Sequence, residues 1–272
     1  MKLFVLTLLL SFGTSAEMIS IRKYQSPVKS QKDRNTCAYF AVTAMLEGSI
    51  KKKFDLEVDI SEQFQIYYGK EHFGEYSNSE HGYTYEIALN FRKQYFFVEE
   101  SELPYQMSFF ENGGPCSSYD PLDESAPSTC FSQGPVDVDS LKTVRMSGLE
   151  VKMVTNLWSS WKSKTDLYED EIRDGNGVVA TVMVYPPLWD EQNVSLPDET
   201  FEKCESGELA CYGHAIHFTG YDKEKRIFQF KNSWSKNWGD EGYGYMSYDY
   251  VLKHAVDPIS FRWDRILSDI GK

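Results

Sequence analysis

The chain has 272 residues, five cysteines, 15% aromatic residues and a formal net charge of −13. That acidity, without any basic stripe, argues against binding nucleic acid or an anionic membrane surface, because phosphate recognition needs clustered Lys and Arg. Length and aromatic content exclude a disordered chain and suit one large domain or two lobes sharing a core.

Residues 1–16 read as a signal peptide: Lys2 precedes an apolar run from Leu3 to Leu10, and Gly13-Thr14-Ser15-Ala16 puts small residues at the cleavage position. The run is too short to span a bilayer, and no later stretch is long and apolar enough. The expectation is a secreted protein without membrane insertion, extracellular, periplasmic or in a lysosome-like compartment, where disulfides persist. Residues 17–33 read as an extended strap, since Pro27 disfavours a helix start. A helix is expected from Cys37 through the apolar run to Leu46, a second after the capping residue Ser61, and a third capped by Thr84 with Ile87, Ala88, Phe91 and Tyr95 on one face. From Phe109 to Gly134 the composition turns to Gly, Pro, Ser and Asp, which marks a loop. A helix follows over 160–174. The period then changes, and strands are expected over 178–185, 214–221, 226–234, 243–250 and 261–266. Helices first and strands second make an α+β chain.

Cys116 and Cys130 flank one irregular segment, and Cys204 and Cys211 flank another. Two short-range pairings would leave Cys37 as the single free thiol, at a helix start where the dipole favours thiolate. A thiol nucleophile needs a base, a group that orients the base, and donors for an oxyanion. Candidates are His214 as base, Asn232 as orienting group, and the Gln31 side chain with the Cys37 amide as donors. His214 and His217, three apart on a strand, face opposite sides, so no metal site and no cofactor are expected.

These segments together resemble the papain family of cysteine peptidases. The resemblance rests on Ser26 to Gln31 with a six-residue step to Cys37, on Ile60-Ser61-Glu62-Gln63, on Gly82-Tyr83, on Gly213-His214-Ala215-Ile216 with Gly220-Tyr221, and on Asn232 with Trp234, Trp238, Gly239, Gly242 and Tyr243. It covers about residues 24–105 and 211–250. The resemblance implies one two-lobed peptidase domain over 17–272. A helical N-terminal lobe would take about 30–105, an inserted disulfide loop about 106–134, and an antiparallel β-barrel-like C-terminal lobe about 135–272. It further implies a Cys37 thiolate paired with protonated His214, Asn232 orienting the ring, Trp234 shielding that bond, and Gln31 on the oxyanion. Gly82 would bind an extended peptide, and Trp238 would pack beside the leaving group.

The activity implied is that of an endopeptidase acting as a monomer on peptide or protein substrates. Loop 106–134 lacks histidine, so carboxypeptidase activity through loop histidines is not supported; a pinned surface loop and a lid are both compatible with it. The short stretch before Cys37 leaves no room for an inhibitory pro-segment, so a conventional zymogen is not expected. The sequence departs from the family beside the nucleophile, at Asn35, Thr36 and Ala38. Asn35 can replace the usual glycine by taking left-handed geometry or by capping the helix. Arg34 stands where the family has a cysteine, and none lies near Ser79, so one family disulfide is lost. These departures motivate a second reading, a catalytically weak or inactive peptide-binding protein.

Overall fold

The helix that opens at Cys37 (α1, Cys37–Phe54) is buried on nearly all sides, because Ala38, Tyr39, Ala41, Val42, Met45, Leu46 and Ile50 leave it no polar face. It ends at Asp55 in the left-handed region, with Lys51, Lys52 and Lys53 on its negative pole. The structure, a computed structural model, describes residues 17–74, 76–135, 137–155, 163–265 and 268–271. The signal peptide, residues 160–162 of the fourth expected helix and residue 266 of the last expected strand lie outside them. Helix α2 (Glu62–Phe73) begins where the Ser61 hydroxyl accepts the Phe64 N–H, and stops at left-handed Gly74. In α3 (Thr84–Gln94) the cap falls on Tyr83, one residue before the expected Thr84.

Two strands precede the second half: β1 (Ile19–Ser20) in the strap and β2 (Phe96–Val98) after α3. A short helix α4 (Ser128–Ser132) closes the 106–134 segment. Strands β3 (Thr143–Ser147) and β4 (Leu149–Met153) follow, then α5 (Lys164–Arg173), which starts with a capping box of Ser163 and Asp166. The remaining elements are β5 (Val178–Val184), α6 (Asp198–Glu205), β6 (Tyr212–Asp222), β7 (Ile227–Lys231), β8 (Tyr243–Ser247), α7 (Tyr248–His254), β9 (Ala255–Trp263) and β10 (Asp269–Gly271).

The main sheet runs β4-β9-β5-β6-β7-β8, with β1 added against β6, and its pairs are antiparallel. Period-two alternation divides its side chains between two cores. Val178, Ala180, Val182 and Val184 pack with Tyr168 and Ile172 of α5 and Val251 of α7. Val179 and Ala215 meet Met45, Leu46 and other residues of the helical lobe on the opposite face. The expected antiparallel β lobe is present, and its sheet is not closed into a full barrel: among the described residues β4 pairs with β9 alone and β8 with β7 alone among the strands. A second sheet, β10-β3-β2, joins the helical lobe to the chain after the inserted loop.

The residues expected as one strand over 243–250 divide into β8 and α7. The Ser247 hydroxyl accepts the Tyr250 N–H, and this cap outweighs the strand preference of the tyrosines. Disulfides join Cys116 to Cys130 and Cys204 to Cys211, and Cys37 is free. The 106–134 segment has a small core of its own around Phe110 and Phe131, and Gln63 of α2 donates to the Ser132 and Gln133 carbonyls.

Candidate active site

Cys37 occupies the first turn of α1, and the sheet delivers His214 to it on β6. The sulfur of Cys37, a residue of intermediate exposure, accepts the backbone N–H of Ala215 at 3.4 Å. His214 is buried, and its Nε2 lies 2.8 Å from Asn232 Oδ1, which also accepts the Ser233 N–H at 2.8 Å. A carboxamide oxygen only accepts, so Nε2 carries the proton and Nδ1 is left as the basic nitrogen. Trp234 stacks on the imidazole at 4.7 Å, and Trp189 approaches it edge-on at 5.8 Å.

Gln31 is held at both ends of its amide. Its Oε1 accepts the Ser233 hydroxyl at 2.7 Å and its Nε2 donates to the Arg34 carbonyl at 2.8 Å. These partners fix which amide end is nitrogen and leave its second hydrogen for another acceptor. A cavity of about 280 Å³ is lined by Gln31, Cys37, His214, Trp234, Tyr212 and His81 among others. An adjoining cavity of about 330 Å³ shares Cys37 and His81 and adds Gly82, Tyr83, Thr181 and Asp257. Gly82 is required by crowding, since a Cβ there would stand 2.7 Å from the buried Tyr39 ring.

Trp238 is one layer back. Its Nε1 donates to the Trp189 carbonyl at 2.7 Å and its ring packs against Trp234, while neither cavity beside Cys37 includes it. No residue of 106–134 lines either cavity, and the segment is pinned by its disulfide and by the Gln63 bonds to Ser132 and Gln133. Asn35 takes neither expected role: its φ is not left-handed and the α1 cap falls on Thr36. Its N–H donates instead to Glu80 Oε2 at 3.2 Å.

Burial pushes the Cys37 thiol up, against the Ala215, Ala38 and Cys37 N–H groups that favour its thiolate. Burial also pulls the His214 imidazole down to about 4, against the Asn232 hydrogen bond. Desolvation alone therefore favours the neutral pair, and no hydrogen bond joins these two described side chains. The thiolate–imidazolium pair that the resemblance implies requires the attraction of the two charges to outweigh this cost.

Among the residues that support the site, Trp189 and Tyr105 are not foreseen from the sequence. Trp189 is almost fully buried, donates to Tyr250 Oη at 3.2 Å and holds both Trp234 and Trp238. Its position after Pro186-Pro187, where the β5 strand has just ended, was the available signal. Tyr105 donates to the Gln31 carbonyl at 2.9 Å and shares a 2.7 Å bond with the Thr36 hydroxyl, a contact 74 residues away from Gln31 that no local pattern encodes.

The fold is that of the papain-like proteins. The sequence matches the family described as papain family cysteine protease over residues 15–256, and the chain belongs to that family. Among solved structures, the chain is similar in fold to xylellain, a cysteine protease from Xylella fastidiosa, with 21% identity, TM-score 0.64, and 92% of this chain and 87% of that one covered. It is also similar to the bromelain protease from Ananas comosus in complex with the E64 inhibitor, with 18% identity, TM-score 0.57, and coverage of 92% and 100%. For procathepsin B from Trypanosoma congolense the values are 14%, 0.59, 93% and 78%. No curated protein sequence matches.

Proposed function

We propose that the protein is a secreted cysteine endopeptidase. The observation that carries this reading is convergence: Gln31 from the strap, Cys37 from α1 and His214 from β6 line one cavity, and Asn232 stands behind the histidine. In the proposed reaction His214 Nδ1 takes the Cys37 proton as the sulfur attacks the peptide carbonyl. The Gln31 amide and the Cys37 N–H stabilise the oxyanion, and His214 then protonates the leaving amine. Water next hydrolyses the thioester, with His214 again as base. Asn232 and Trp234 hold and shield the imidazole, Gly82 offers its backbone to an extended substrate, and Trp238 supports the site through Trp234 and Trp189. No cofactor enters these steps.

The absence of residues 106–134 from the cavity walls supports cleavage within a chain over cleavage at its end. The two disulfides support export. The experiment is to treat the protein with the epoxysuccinyl inhibitor E64, using Cys37→Ala as control, and to assay a mixed peptide library. Stoichiometric labelling at Cys37 and internal cleavage are expected. Absence of both would leave the peptide-binding reading.

A further inference from the structure

Arg34 and Glu80 form an ion pair with almost no solvent access: their side chains are 0% and 4% exposed, and Arg34 Nε donates to Glu80 Oε1 at 3.1 Å. The guanidinium also donates to Gln63 Oε1 at 2.8 Å and to the Gln106 carbonyl at 3.1 Å, and it lies over the Tyr105 ring at 5.0 Å. Its Nη2 is buried without a partner. Such a pair is a poor stabilising device, because an apolar pair of similar volume fills the same space without the desolvation cost. What it supplies is directed geometry.

That geometry leads to the oxyanion donor. Glu80 Oε2 accepts the Asn35 N–H at 3.2 Å while Oε1 holds Arg34 and the Ser108 hydroxyl, so one carboxylate grips two consecutive residues of the turn before Cys37. The Arg34 carbonyl in turn accepts the Gln31 amide at 2.8 Å. Beyond Glu80 the chain passes directly into His81 and Gly82, which face Cys37 across the cleft. The ion pair thus ties the wall that carries Gln31 and Cys37 to the wall that carries Gly82. It spans without a covalent bond the segments that the family resemblance would join by a disulfide.

We infer that Arg34 and Glu80 are positioning residues that hold the Gln31 amide and the Cys37 turn in the geometry needed for oxyanion stabilisation. This rests on the peptidase reading, in which Gln31 is an oxyanion donor. Neither residue touches the reacting atoms; both act through the 31–36 turn. The Asn35 N–H and the Arg34 carbonyl are the points of transmission.

The test is kinetic, on enzyme counted by E64 labelling so that unfolded material does not contribute. Glu80→Gln is expected to lower kcat about 10- to 100-fold with KM changed less than threefold, the pattern of an interaction made in the transition state. Glu80→Asp is expected to recover part of the loss. In a Gln31→Ala background Glu80→Gln should cost less than threefold, because the group it positions is already gone. If Glu80→Gln does not fold, Arg34→Met with Glu80→Met removes both charges, and the same low kcat and non-additivity with Gln31→Ala are expected. Wild-type kcat in either variant, or losses that multiply fully with Gln31→Ala, would overturn the inference. Failure of the wild-type protein to label or cleave would instead overturn the peptidase reading on which it stands.

Discussion

The residues at the site differ in how far their neighbours disclosed them. Cys37, His214, Asn232 and Gln31 were legible because each lies in a local string whose order and spacing repeat those of the papain family. Their protonation was not legible, because it depends on how completely the folded chain removes water from them. Burial holds His214 near 4, so below about pH 4 the ring is protonated and cannot accept the thiol proton. The raised Cys37 thiol keeps its proton past the ordinary thiol range, so the neutral pair persists up to that limit. The pH profile of kcat/KM should therefore have its acid limb near 4 and its alkaline limb above that range. Asn232→Ala removes the hydrogen bond that raises the His214 pKa, so the acid limb should move to lower pH while the rate falls. A limb that stays in place would show that Asn232 does not govern the proton on His214.

Elements place chemistry that residue patterns miss. Strand β9 was foreseen only as a short segment near residue 261, because Asp257 and Pro258 interrupt its apolar run. The structure uses that interruption. Between the Val179–Ile259 and Thr181–Val256 partners the register shifts, and Asp257 takes φ 50. Bulges of this kind re-aim a side chain beside a site. Asp257 lines the 330 Å³ cavity next to Cys37, whose other lining groups are uncharged apart from the His81 imidazole, which burial keeps below its usual range. A substrate Lys or Arg side chain in that cavity should therefore be preferred over a neutral one of similar size. For a partly exposed ion pair worth up to ~1 kcal/mol the preference is about fivefold in kcat/KM. Asp257→Asn should abolish it in a positional peptide library without reducing cleavage of neutral substrates. Strands β3 and β4 were missed because Arg, Lys and Glu interleave their apolar residues, and their partners, β2, β9 and β10, lie far off in sequence.

At the scale of the whole molecule, the central sheet takes its stability from burial on both faces, and that has a cost in acid. His217 on β6 is buried with neither ring nitrogen partnered, and its ring occupies space that only a glycine at 177 leaves free, since a Cβ there would stand 1.7 Å from Nε2. Burial, with Lys231 beside it on the paired strand, holds its pKa at about 3. The unfolded chain takes up a proton near 6.5, and the folded chain does so only near 3. The contribution is thus fully present above 6.5 and lost as pH falls from 6.5 toward 3. The loss at pH 5 is roughly 2 kcal/mol. Urea unfolding at pH 7 and pH 5 should show it, and His217→Leu should flatten the difference between the two. An unchanged difference in the variant would assign acid sensitivity elsewhere.

The family, the helical first half and strand-rich second half, and the cysteine pairing pattern follow from sequence alone, as does the choice of Cys37, His214, Asn232 and Gln31 as the candidate catalytic set. They do so because they are fixed by short strings of neighbouring residues. Only the tertiary structure decided that the sheet is open, that the 106–134 loop stands clear of the cleft, that Trp189 and Tyr105 support the site, and that a buried Arg34–Glu80 pair ties its walls together. Each of these depends on contacts between segments tens of residues apart and on which groups lose their water when those segments meet. No local pattern of residue types carries that information.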